Sequence, residues 1–181
     1  MSFKTLLRVG VGAGFMAHGA QKLFGWFGGH GLEATGEVFE SNLQMAPGKR
    51  NATAAGVSEF GGGALLASGL ATPIATTALT STMLTAIWKV HKDKGFFAGN
   101  GGWELNGLLI AALLAIAEEE SGPLAAAFTL VGGAVGSYAA IEVGRREYAK
   151  LHPADAADTG SSNGGPVADQ AEAEEPASTP A

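Results

Sequence analysis

The 181-residue chain contains no cysteine, which excludes disulfides, dithiol redox chemistry and an iron–sulfur cluster held by its own thiolates. Charge is also scarce: 15% of residues are charged against 46% apolar, a balance unusual for a soluble domain and normal for a membrane one. No basic patch extends beyond short clusters at predicted helix ends, so nucleic-acid binding is excluded as a reading. No Lys or Arg follows Lys150, and residues 153–181 carry six acids. The rest of the chain balances, so this tail accounts for the whole net charge of −6. It also dilutes the mean hydropathy to +0.18.

What is present is a series of apolar segments. Residues 5–25 form a first span, which at the helical rise crosses a hydrocarbon core of about 30 Å. Lys4 and Arg8 ahead of an apolar run also fit a cleaved signal peptide, a competing reading. Gly10 and Gly14 make a GxxxG that permits close helix approach, a weak signal among 28 glycines. After a WFGGHGL turn, Leu32, Phe39 and Leu43 oppose Glu33, Glu37 and Glu40, which predicts a short surface helix ending at Pro47-Gly48. Residues 52–71 read as a second span and 73–91 as a third, whose threonines can bond back to their own helix carbonyls. KDKGFFAGNGG is a second glycine-rich aromatic loop, expected on the same side as the first because two spans separate them. A fourth span opens at Trp103-Glu104 and is stopped by EEESGP, whose three glutamates read as a solvated loop. Residues 124–143 are a fifth candidate span with a second GxxxG at Gly132 and Gly136. Arg145, Arg146 and Lys150 anchor its end, and the composition of the tail predicts disorder.

Lys/Arg counts on alternate sides of five spans place both aromatic loops and the tail in the cytoplasm and the N-terminus outside. The chemistry concentrates near those loops. His18, Gln21, Lys22 and Gly25 share one helical face where the first span leaves the membrane. Glu59 sits two turns into the second span, where a charged group costs about 2.5–3.5 kcal/mol and needs a partner, a proton or water. His18, Lys22, Glu59, His91 and Glu104 are therefore the candidate polar cluster, with Gln21, Trp26, Phe96 and Trp103 as candidate pocket lining. Either the cluster holds helices in register, or it relays protons and seats a quinone head group, whose carbonyls need a His or Lys donor. Metal or haem ligation by His18 and His91 has no further motif behind it, and no metal site is assigned.

The strings HGAQKLFGWFGGHGLEATGEVFES, SEFGGGALLASGLATP and HKDKGFFAGNGGWELNGLLIAALLA together resemble the DoxX family of small bacterial and archaeal membrane proteins, over roughly residues 5–123. The resemblance implies a four-helix membrane bundle and an association with oxidoreductase systems: a thiosulfate:quinone oxidoreductase subunit is similar, and some members are linked to superoxide-detoxifying complexes. Two features depart from the pattern. The chain adds a fifth span and an acidic tail, and it has His30 where the family has Pro, so His30 inherits no role.

The resulting expectation is an all-α transmembrane bundle: a four-span unit over residues 1–123, an extra span over 124–143, and a basic anchor with a disordered acidic tail over 144–181. As a multi-pass plasma-membrane protein it has the lipid bilayer as its first partner. A membrane or soluble oxidoreductase subunit is the second, and a quinone is the one cofactor suggested. The alternative is a non-enzymatic membrane scaffold that recruits redox or stress-response partners. Small-solute transport is disfavoured, because no inverted repeat or broken helix pair is visible.

Overall fold

The computed structural model describes residues 2–158. The described residues are helical with no strand: α1 Phe3–Phe24, α2 Gly31–Glu37, α3 Gly48–Ser68, α4 Thr72–Ala86, α5 Glu104–Ser121, α6 Pro123–Leu151 and α7 Pro153–Asp158. Two of these helices run on into π turns, α2 through Val38–Asn42 and α4 through Ile87–His91. The Ser2 hydroxyl caps α1 by accepting from the Thr5 amide at 3.2 Å. At the other end Gly25 stops it at φ 71°, a left-handed conformation that costs glycine little.

α1 and α3 run antiparallel in close contact. The approach depends on glycine, but not on the Gly10–Gly14 pair, around which there is open space. Gly12 and Gly19 on α1 face Gly63 and Gly56 on α3 instead, and a Cβ on Gly12 would stand 2.6 Å from the Gly63 carbonyl oxygen. The GxxxG expectation is thus displaced by one helical face: the 12/19 spacing, two full turns, is what meets the partner helix. α3 packs antiparallel on α4, and Ser58 donates to the Ala78 carbonyl at 3.2 Å.

α4 is central, touching α3, α5 and α6. Its threonines bond back to their own carbonyls, as Thr77 does to Pro73 at 2.6 Å. They also reach across: Thr76 and Thr129 share a 2.8 Å hydrogen bond, and Thr85 donates to Ser137 at 3.0 Å, so α6 runs parallel to α4. Gly133 lies against Thr80 and Gly136 against Ser81. The apolar core is small, built from Phe15, Leu66, Leu79, Met83, Leu113 and Ile116. Interior contacts of small and hydroxyl residues suit a bundle whose outside is apolar.

That outside carries Val9, Val57, Ile74, Leu108 and Val131, exposed on five different helices. Among the described residues one helix, α6, is both long and apolar enough by itself to cross a membrane.

Three expectations are corrected. The three glutamates 118–120 do not stop the fourth helix, because α5 continues through them to Ser121. Nor are they a free loop: Glu120 takes Arg8 at 2.5 Å and the Thr72 hydroxyl at 2.8 Å, and Glu119 pairs with Lys4. These contacts staple the start of α1, the start of α4 and the end of α5 together. The expected short surface helix is present as α2, packed on α3 and α1, but it passes into the π turn at Val38 and ends at Asn42 instead of running to Pro47-Gly48. The basic anchor continues α6, and residues 153–158 of the tail are helical; the disorder predicted for the rest of the tail falls outside the described residues.

A buried ion pair in the wall of an apolar cavity

Antiparallel packing of α1 on α3 puts the last turn of one beside the middle of the other, and so sets Lys22 against Glu59. Lys22 Nζ donates to Glu59 Oε2 at 2.5 Å. The Glu59 side chain is 3% exposed and that of Lys22 29%, so the carboxylate is inside and the ammonium reaches it along an apolar stem. Gly56, one turn before Glu59, permits this register, because a Cβ there would meet the Leu23 side chain at 2.7 Å.

The pair lines a cavity of about 460 Å3 between α2, α3, α4 and α6, within the range of about 300–1,000 Å3 usual for small-molecule sites. Its wall is mostly apolar, with Phe39, Leu43 and Met45 on the α2 side. α2 also contributes Thr35, and most polar groups come from the other helices: Ser58 beside Glu59, Thr82 and Thr85 on α4, and Lys89 on the π turn. Ser58 and Thr82 share a 3.0 Å hydrogen bond across the α3–α4 contact. Val38 and Val90 also line the cavity and are exposed, so it reaches the surface.

Of the five residues in the sequence-derived cluster, the structure brings Lys22 and Glu59 together and places the other three elsewhere. His18 is exposed on α1 and makes no hydrogen bond to a described residue. His91 donates from Nδ1 to the Gly101 carbonyl at 2.6 Å, which fixes its proton on that nitrogen. Glu104 accepts from the Ala98 amide at 3.0 Å. Both close the loop between α4 and α5 on itself, because a loop rich in glycine leaves backbone groups that only side chains can satisfy.

The expected pocket-lining residues also stand outside the cavity. Gln21 donates to the Phe27 carbonyl at 3.4 Å, Trp26 packs on Phe24 at 5.1 Å, and Phe96 meets Trp103 edge-on at 4.9 Å. They form two separate aromatic clusters, both at the Lys22 end of the bundle. Among the described residues no three His, Asp or Glu side chains converge as metal ligands.

Sequence reasoning missed Ser58, Thr82, Thr85 and Phe39 as lining; it counted Lys89 among the topogenic charges while leaving it open as a site residue, and did not join it to the cluster. A signal was there: Ala78, Thr82, Thr85 and Lys89 follow at i, i+4, i+7 and i+11, one continuous helical face.

Comparison with known proteins adds one match. The family model DoxX matches residues 3–92, which span α1 to the end of α4 and hold both members of the ion pair. No curated protein and no solved structure matches.

Proposed function

This chain belongs to the DoxX family of membrane proteins, and on that premise we propose that it is a multi-pass plasma-membrane protein serving as an accessory, quinone-interacting subunit of a membrane oxidoreductase system. Four spans of the family type, α1, α3, α4 with its π turn, and α5, are joined by α6 as a fifth. Helices of 22, 21 and 18 residues in α1, α3 and α5 suit a core of about 30 Å at 1.5 Å per residue. Their outward apolar side chains would then face lipid. The loops that carry most of the Lys and Arg, together with their aromatics, would lie at the cytoplasmic interface.

The observation that carries the functional reading is the Lys22–Glu59 pair in the cavity wall. An ammonium beside an apolar cavity is a donor for a quinone carbonyl, and a neighbouring carboxylate can pass the proton onward. Lys22 would hold the ring and Glu59 would exchange the proton. Electrons would come from a partner subunit, since the chain has no thiol to supply them.

A second reading, the non-enzymatic scaffold, is favoured by one observation. Phe27, Trp88 and Phe97 are exposed in or beside the two loops and offer an aromatic surface to a partner protein. Equilibrium binding of a short-chain quinone to the purified protein separates the two. The quinone reading expects saturable binding that Glu59→Gln weakens at least tenfold. No saturable binding to folded wild type would leave the scaffold.

A further inference from the structure

Lys89 is the one cavity-lining charge that the Lys22–Glu59 pair does not explain. It is half-buried, and among the described residues it makes neither an ion pair nor a hydrogen bond. The charges close enough to act on it, Lys92 and Arg145, share its sign. Arg145 is held by Glu142 at 3.0 Å, and Lys92 sits over the Trp88 ring, so neither supplies a counter-charge. Asp93, adjacent in sequence to Lys92, forms no ion pair and does not line the cavity. Lys22 and Glu59 cancel each other, and the cavity is left with one net positive charge inside a largely apolar wall.

A solvated lysine that points away would explain nothing about the cavity, but the backbone argues otherwise. The chain departs from α-helical geometry at two π turns, Val38–Asn42 and Ile87–His91, and both line this cavity: the first contributes Val38 and Phe39, the second Lys89 and Val90. A π turn costs hydrogen-bond geometry and shifts the register of the side chains after it, and such turns concentrate at functional sites. Thr82 and Thr85 already bond to helix carbonyls and to Ser58 and Ser137. That leaves the Lys89 ammonium as the cavity-lining charge without a partner among the described residues, in a cavity it shares with Phe39, Leu43 and Met45. An unpaired ammonium next to apolar surface favours an anion that brings its own apolar body.

We propose that the cavity takes a single-chain amphiphilic carboxylate, its head on Lys89 and its hydrocarbon against Phe39, Leu43 and Met45. This rests on the cavity being a ligand site, as above, and does not need the ligand to be a quinone.

The test uses full-length protein in nanodiscs of neutral phosphatidylcholine, with a fluorescent polyene fatty acid and its methyl ester as paired probes. Wild type should bind the acid at least tenfold more tightly than the ester. Lys89→Met should remove that preference while leaving the ester within about twofold, and Lys89→Arg should keep it. Equal affinity of wild type for acid and ester overturns the proposal, a result that does not depend on any variant folding. So does an unchanged acid affinity in folded Lys89→Met. A short-chain quinone added to the same samples keeps the two ideas apart: acid binding with no quinone binding sinks only the quinone reading, and quinone binding with no acid preference sinks only this one.

Discussion

Thr76 on α4 and Thr129 on α6 are both fully buried, and their hydroxyls share a 2.8 Å hydrogen bond. The bond joins the region that matches the family to a helix beyond it. α6 is therefore part of the bundle rather than an added anchor. Replacing one hydroxyl leaves the other without this partner, at a cost of about 1 kcal/mol, whereas removing both is milder. Thr76→Val and Thr129→Val should each lower the thermal midpoint in detergent, and the double variant should lose less than the sum. Strict additivity in that cycle would mean the bond contributes nothing.

The α1–α3 contact gives a sharper contrast within one helix. Gly12→Val drives a side chain into the Gly63 backbone and should cost about 1–3 kcal/mol or more, whereas Gly10→Ala and Gly14→Ala enter open space. By helix propensity those two should be neutral or stabilising by up to about 1 kcal/mol. Denaturation midpoints decide it, and a Gly14→Ala loss as large as that of Gly12→Val would contradict the packing described here.

For the ion pair, removing one partner strands the other. Lys22→Met leaves a buried carboxylate and should destabilise by about 3–5 kcal/mol, while Lys22→Met/Glu59→Gln should recover much of that. The double variant is also the one to assay for ligand: it should fold and fail to bind quinone. Folded double variant with wild-type quinone affinity would remove the pair from the site.

At the opposite end of the bundle two glutamates differ in worth. Glu119 pairs with an exposed Lys4, and Glu120 holds a mostly buried Arg8 together with Thr72. Glu119→Gln should change stability by less than about 1 kcal/mol, and by less still at high salt. Glu120→Gln should cost more, because it weakens contacts to two helices at once. Equal effects in salt-dependent melting would mean both are surface pairs.

His91 and Glu104 close the loop between α4 and α5. His91→Ala and Glu104→Gln should open residues 92–103 to proteolysis or faster hydrogen exchange, without altering quinone affinity. A tenfold affinity loss in either variant, with loop protection intact, would return that residue to the ligand site.

The helices were legible from the sequence because their signals are local. Apolar runs of span length, Pro73 at a helix start and Gly25 at a helix end each act within a turn or two, and the structure has helices at all five places. Local signals misled where a competing contact was distant: Glu118, Glu119 and Glu120 look like a helix stop until Arg8 and Lys4 meet two of them. The need of Glu59 for a partner was legible for another reason, since a buried carboxylate needs a cation and Lys22 ends the neighbouring span. No local signal, however, separated Lys22 from His18 on the same helical face.

What the sequence by itself determined is an all-helical bundle over the described residues, its family, and one buried acid in need of a base. The tertiary structure alone decided which glycines meet, that His91 and Glu104 turn back on their own loop, and that Lys89 joins the ion pair around one cavity. Those depend on helix rotation, which is set by side chains far apart in sequence and by two π turns that no local pattern announces.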